Sequence, residues 1–228
     1  MSIAAVLFSA CAGVSVSGPP ATPQPSVSAT ITQSEAVAVV NAPCGSWTTS
    51  TLSSASGPIA KTSVTSCYDV AGSSAREIRA SINASLARPN DQNSGAAVDA
   101  KSAYKFNFRW TTAAAAGRCR ATTVSAAFNV EFIYPRWVAP PSPSAVLVLQ
   151  WNAYVAALQT HESGHELNGI DATNDGYAAI NALGVASCGD FNAAAQAAID
   201  ATTARAKQAD VSYEATTNHG ATQGAHFP

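Results

Sequence analysis

One helical face constrains this chain more than any other feature of its sequence. Six side chains follow one another at spacings of four, three, four, three and four residues: Leu147, Trp151, Tyr154, Leu158, His161 and His165. That spacing places all six on one side of an α-helix. Ser142 as cap and Pro143 in the first turn suit its start. Asn168–Gly169 predicts its end, because both residues tolerate the left-handed conformation.

The same face ends in "HESGHELNGID", residues 161–171, in a chain with only 11% charged residues. In the HExxH pattern, two histidines one turn apart can both bind a single Zn²⁺. The glutamate between them lies beside the open side of the metal and can take a proton from water. Here these residues are His161, Glu162 and His165. The sequence therefore predicts a zinc site with Glu162 as its general base.

A catalytic zinc usually has three protein ligands and one open position. Asp171 lies ten residues after the first histidine, where metzincins place their third ligand. Glu214 and His219, in "YEATTNHG", are distant in sequence but can return to the site. The residues alone leave the choice between these three open.

The N-terminus, "MSIAAVLFSACAGVSVSG", resembles an export segment. A short apolar run precedes Cys11, and "FSAC" is close to the bacterial lipobox, in which the cysteine is lipidated. We therefore interpret residues 1–17 as a signal of the lipoprotein type. Residues 18–36, rich in Pro, Ser and Thr, suit an extended tether. Residues 37–228 are then a single folded domain.

Cysteine count agrees with export, because the chain has five cysteines and lipidation of Cys11 would leave an even number. We predict the disulfides Cys44–Cys67 and Cys119–Cys188, although the sequence permits three connectivities. The net charge is −2 and the chain has no basic run, which argues against a nucleic-acid partner. Membrane contact is expected only through the lipid anchor.

Other segments have simpler patterns. Short runs of Thr, Ser and Val between residues 37 and 70 predict strands and turns. Ile78, Ile82 and Leu86 follow a capping Ser73 or Ser74 at helical spacing and precede Pro89, which predicts a helix. "YKFNFRW", residues 104–110, alternates as a strand, and one or two strands should follow it. Ala-rich helices are expected near 172–184 and 190–209, followed by a loop.

With these elements in order, the chain resembles an uncharacterised bacterial family described as predicted secreted zinc-dependent proteases. The resemblance is carried by "YDVAGSSAREIRASI", "FNFRW", "PRW", "W..Y...L..HESGH" and the closing "YEATTNHG". Glu214 stands where the closing signature of that family usually has Asp. The resemblance implies that His219 is the third zinc ligand, with Asp171 and Glu214 as alternatives.

Together these patterns predict an exported α+β domain with an antiparallel sheet, a zincin-like HExxH helix and a helical C-terminal part. The expected activity is zinc-dependent hydrolysis of a peptide or protein, with Tyr213 or Tyr154 stabilising the oxyanion. The expected location is the periplasm or the outer membrane as a lipoprotein, or alternatively the medium. The alternative function is a non-catalytic envelope lipoprotein with a structural or vestigial zinc site.

Overall fold

A computed structural model describes residues 37–90 and 95–228. Its strands are β1 (Ser46–Leu52), β2 (Ile59–Ala71), β3 (Lys101–Ala115), β4 (Arg118–Val138) and β5 (Gly184–Val185). Its helices are α1 (Ala75–Ala84), α2 (Ala145–Ala182) and α3 (Cys188–Thr217), followed by a 3-10 turn at Ala221–Gln223. The predicted α+β class and helical C-terminal part are confirmed. The export segment, Cys11 and the tether lie outside the described residues.

The five strands form one sheet in the order β1-β2-β4-β3, with β5 pairing the start of β4. β3 and β4 form an antiparallel hairpin, whereas β2 and β4 run parallel. The sheet is therefore mixed, and the prediction of an antiparallel sheet was wrong. Parallel neighbours need a long crossover, which α1 and the hairpin strand β3 supply here. The alternation of side chains within a strand does not indicate whether the neighbouring strand runs parallel or antiparallel to it.

Helix α1 begins at the predicted cap but ends early. The Ser74 hydroxyl accepts a hydrogen bond from the Glu77 N–H, and Ile78 and Ile82 are fully buried. The helix stops at Ala84, and Leu86, predicted on the same face, is exposed instead. The chain leaves the helical path here, and Arg88 forms an ion pair with Asp99 at 2.7 Å.

Helix α2 is much longer than predicted. It starts after Ser144 rather than Ser142 and continues through Asn168–Gly169 to Ala182, so it includes all but the last two residues of the separate helix expected at 172–184. Gly169 is a packing position, because a Cβ there would lie 2.6 Å from Phe128 and 2.8 Å from Tyr104. The glycine therefore lets α2 approach the sheet closely and does not end the helix.

Helix α3 also extends beyond its predicted limit. It runs eight residues past 209, so that Tyr213 and Glu214 are helical rather than in a loop. The helix ends at Asn218, which has a left-handed backbone. The segment after it returns to the core, where the Phe227 ring is fully buried against Trp151 and Tyr154.

Two disulfides brace the domain, and they are the pairs predicted from the sequence. Cys44–Cys67 joins the segment before β1 to β2, and Cys119–Cys188 joins the start of β4 to the start of α3. Disulfides of this kind persist in oxidising compartments, which indicates an extracytoplasmic location. Within residues 37–90 and 95–228, no helix is both long and apolar enough to cross a bilayer.

Candidate metal centre

The two histidines of HExxH lie one turn apart on the side of α2 that faces α3. Their ring centroids are 5.0 Å apart. Only 7% of the His161 side chain and 12% of the His165 side chain are exposed. The helical face inferred from the sequence thus carries apolar core residues first and then the two histidines, whose imidazoles are shielded from solvent.

Glu214 brings a carboxylate from α3 to both imidazoles. Its Oε1 lies 3.0 Å from Nε2 of His165, and its Oε2 lies 3.5 Å from Nε2 of His161. One donor atom from each of these three residues falls within 4.8 Å of the others, so the cluster could hold a metal ion. Oε2 of Glu214 is buried, and neither of its nitrogen neighbours, Nε2 of His161 at 3.5 Å and Nδ1 of His219 at 3.0 Å, meets it with hydrogen-bond geometry. A cation between the three donors would satisfy that oxygen.

The opposite nitrogen of each imidazole is held by another side chain. Nδ1 of His165 lies 2.9 Å from Oδ1 of Asp210, and Nδ1 of His161 lies 3.0 Å from Oε1 of Gln223. Asp210 also accepts a hydrogen bond from the Tyr104 hydroxyl at 2.7 Å. Metal-binding histidines commonly donate their second N–H to such partners, which orients the ring and selects the tautomer. Both Nε2 atoms are thereby directed at Glu214.

The charges in this cluster are strongly coupled. Burial opposes a charge on His165, but the Asp210 and Glu214 carboxylates outweigh it and raise its pKa to about 10. The pKa of His161 is also raised, because Glu214 outweighs the effect of burial. Burial raises the pKa of Glu214, yet the two imidazoles outweigh it and lower that pKa far below its usual value. The His165 imidazole is therefore protonated at neutral pH in the metal-free protein, and a cation would replace that proton.

Glu162 lies beside the cluster but is not one of its three donors. Its side chain is buried, and burial raises its pKa although the Ser102 hydroxyl and the two imidazoles oppose the shift. Together with His161 and His165 it lines a cavity of about 710 Å³. A buried carboxylate of raised pKa is suited to accept and return a proton near neutral pH.

The other two candidates for third ligand are placed differently. His219 also lines the cavity, with its Nδ1 3.0 Å from Oε2 of Glu214, but its side chain is 68% exposed. Its backbone φ of 53° is left-handed, as in Asn218 before it. Asp171 is exposed on α2 and is not a member of the cluster. The structure thus gathers Glu214 with the two histidines, places His219 in contact with Glu214, and leaves Asp171 outside the cluster.

The two tyrosines considered for oxyanion stabilisation hold other partners. The Tyr154 hydroxyl donates to Oδ2 of Asp99 at 2.7 Å. Tyr213 stacks on the His161 ring at 5.3 Å, and its hydroxyl donates to the His161 carbonyl at 3.2 Å. Tyr213 therefore packs against the face of the His161 imidazole.

Sequence reasoning missed three supporting residues, Asp210, Gln223 and Tyr104. Asp210 precedes Glu214 by four residues, the same spacing that separates the two histidines. That spacing would have signalled a second face of donors if α3 had been extended to Thr217. Gln223 and Tyr104 carry no such pattern, because a 3-10 turn and a strand on different parts of the chain bring them to the site.

The sequence profile of a bacterial protein family of unknown function, DUF922, matches residues 65–220. This range contains both histidines, Glu162, Asp210, Glu214 and His219. No curated protein and no solved structure shows significant similarity to the chain. Because the matched range covers well over half of the sequence, the chain belongs to the DUF922 family of bacterial proteins of unknown function.

Proposed function

We propose that this protein is a zinc-dependent hydrolase that cleaves peptide bonds outside the cytoplasm. The observation that carries the proposal is the convergence of His161, His165 and Glu214 on one point, beside the buried carboxylate of Glu162. Two imidazoles and one carboxylate are a common ligand set for catalytic zinc, and they leave a position open.

The donor set favours zinc over harder cations. Mg²⁺ and Ca²⁺ prefer shells made of oxygen, whereas imidazole nitrogen suits Zn²⁺. Asp210 and Gln223 hold the two rings with Nε2 toward the metal. Zinc supplies Lewis-acid chemistry when bound, polarising a carbonyl and lowering the pKa of water.

Glu162 has the proton-transfer role in this proposal. Its carboxylate takes a proton from the attacking water and holds it at one of its oxygens. It then delivers that proton to the nitrogen of the leaving amine. Burial makes the carboxylate more basic and so better matched to this task. His219, exposed at the cavity wall, is assigned to the substrate side, where it can donate to developing negative charge.

The proposal is tested by combining metal analysis with hydrolysis of a quenched fluorescent peptide library. Zinc-loaded protein should hydrolyse members of the library. Glu162→Gln should retain about one zinc per chain and lose hydrolysis, whereas His161→Ala, His165→Ala and Glu214→Ala should lose both. Hydrolysis that persists unchanged in Glu162→Gln would contradict the mechanism.

A structural zinc site is the second candidate function. It is favoured by one contact, the 3.0 Å approach of His219 Nδ1 to Glu214, which could bring a fourth protein ligand to the metal. Structural zinc sites are closed by four protein ligands. X-ray absorption spectroscopy of the zinc-loaded protein distinguishes the structural site from the hydrolase, because it counts the imidazoles bound to zinc. Loss of one imidazole from the coordination shell in His219→Ala favours the structural site. An unchanged coordination shell favours the hydrolase.

We also propose that the protein is anchored to a membrane through lipid on Cys11. The proposal rests on "FSAC" and on the tether that follows it, together with an extracytoplasmic location. Cys11→Ser should release the protein into the soluble fraction of the periplasm or the medium. Retention of the variant in membranes would contradict lipid anchoring.

A further inference from the structure

The free edge of the sheet forms one wall of the cavity that contains the metal centre. β3 is the last strand in the order β1-β2-β4-β3, so among the described strands its outer edge has no neighbour. All ten consecutive residues from Val98 to Asn107 line the cavity, and His161, Glu162 and His165 face them from α2. An unpaired strand edge offers backbone N–H and C=O groups to an extended peptide.

Lysine is concentrated around this cavity. The chain has four lysines, and three of them line it: Lys101, Lys105 and Lys207. Within residues 37–90 and 95–228, no carboxylate forms an ion pair with any of these three. Four carboxylates also line the cavity, and three of them already have partners. Asp99 is held by Arg79 and Arg88, and Asp210 and Glu214 contact the histidines. The fourth, Glu162, is buried. The edge of β3 and the facing part of α3 therefore carry lysines that no described carboxylate pairs with, and Nζ of Lys101 donates to the Asn90 carbonyl at 3.0 Å.

We propose that the cavity binds an extended acidic peptide, which lies along β3 as an additional strand. The inference rests on the proposed hydrolase function in one respect only, namely that the bound peptide is then cleaved. Side chains of an added strand alternate between the two faces of the sheet. On one face they would lie opposite Lys101 and Lys105, and on the other they would point toward Tyr104 and the metal centre.

The lysine positions suit carboxylates at intervals along such a strand. Lys101 and Lys105 are four residues apart on the same face, a separation of about 14 Å along an extended chain. Opposite charges directly across neighbouring strands stabilise the pairing. Lys207 lies on α3, three residues before Asp210, and adds positive charge on the opposite wall.

The test is a binding measurement on the full chain loaded with zinc and carrying Glu162→Gln, so that bound peptide is not cleaved. The probes are fluorescent peptides of about ten residues, one alternating Glu with Ala and the other Lys with Ala. Two further proteins carry Lys105→Glu with Lys207→Glu, or Arg109→Glu with Arg205→Glu. The arginine pair is a matched control, because it lies on the same strand and helix but does not line the cavity.

The acidic peptide should bind at least about tenfold more tightly than the basic one, and this preference should weaken with salt. The lysine variant should lose the preference, and the arginine variant should keep it. Equal binding of both peptides, or unchanged binding of the acidic peptide to the lysine variant, would overturn the inference. The lysines would then serve only to prevent edge-to-edge association of sheets. Failure of the proposed function is seen separately, as absent hydrolysis by the zinc-loaded wild-type protein.

Discussion

Asp210 accepts a hydrogen bond from Nδ1 of His165 at 2.9 Å, and this contact leaves Nε2 directed at Glu214. We expect Asp210→Ala to weaken zinc binding by about 10- to 100-fold, because the ring loses its orientation and some of its basicity. Competition with a fluorescent chelator measures the change. Asp200→Ala, an exposed position on the same helix, is the control. Equal zinc affinity in both variants would show that Asp210 does not position the ligand.

Zinc uptake should release protons. With a pKa raised to about 10, His165 is protonated at pH 8 in the metal-free protein, and a metal must displace that proton from the imidazole. Proton competition decreases as pH rises toward 10, so apparent affinity should increase about tenfold per pH unit between roughly pH 7.5 and 9.5. Calorimetric titrations in two buffers of different ionisation enthalpy count the protons. Affinity that is independent of pH would contradict the expectation.

Gly164, inside the HExxH motif, packs directly against α3. A Cβ at this position would lie 2.1 Å from the Tyr213 ring. Alanine is the better helix former by about 1 kcal/mol, yet the clash should dominate, and we expect Gly164→Ala to destabilise the fold by about 1–3 kcal/mol. Thermal unfolding measures this, with Ser163→Ala at the exposed neighbouring position as control. A stabilised Gly164→Ala protein would indicate that the two helices are packed less closely.

Phe227 anchors the segment that carries Gln223. Its ring is fully buried and lies 5.1 Å from the ring of Tyr154 and 5.7 Å from that of Trp151. Phe227→Ala should reduce the free energy of unfolding by about 3–5 kcal/mol. Zinc affinity should fall as well, because Gln223 loses its hold on His161. Chemical denaturation measures the loss of stability, and zinc competition measures the loss of affinity. His226→Ala, at an exposed position, is the control. Destabilisation with unchanged zinc affinity would separate the anchor from the metal site.

Local patterns predicted the parts of the site that lie on one helix. The spacing from Leu147 to His165 identified the buried face of α2, and HExxH identified the two histidines. Both depend only on residues within a few turns of one another. The predicted disulfide pairing is also confirmed, although export and the even count after Cys11 identified only the four cysteines and left three connectivities open.

The remaining features depend on contacts between distant segments. Asn168–Gly169 has the composition of a helix end, but Gly169 serves the close approach of α2 to Phe128 and Tyr104. The last turns of α3 have no apolar periodicity, because their inward side chains are polar donors such as Asp210 and Glu214. The role of Glu214 follows only from the packing of α3 on α2, and the parallel pairing of β2 with β4 only from the crossover.

The disulfide Cys119–Cys188 and the cluster at Glu214 lie at opposite ends of α3. The first end is fastened covalently to β4, and a bound metal would fasten the second end to α2. A reductant and a chelator would therefore loosen different ends of one helix. Removal of metal would leave the second end held only by the contacts of Asp210 and Glu214 with the imidazoles. Hydrogen exchange should then increase around Glu214 and stay unchanged near Cys188, so that redox state and metal supply act on different ends of α3.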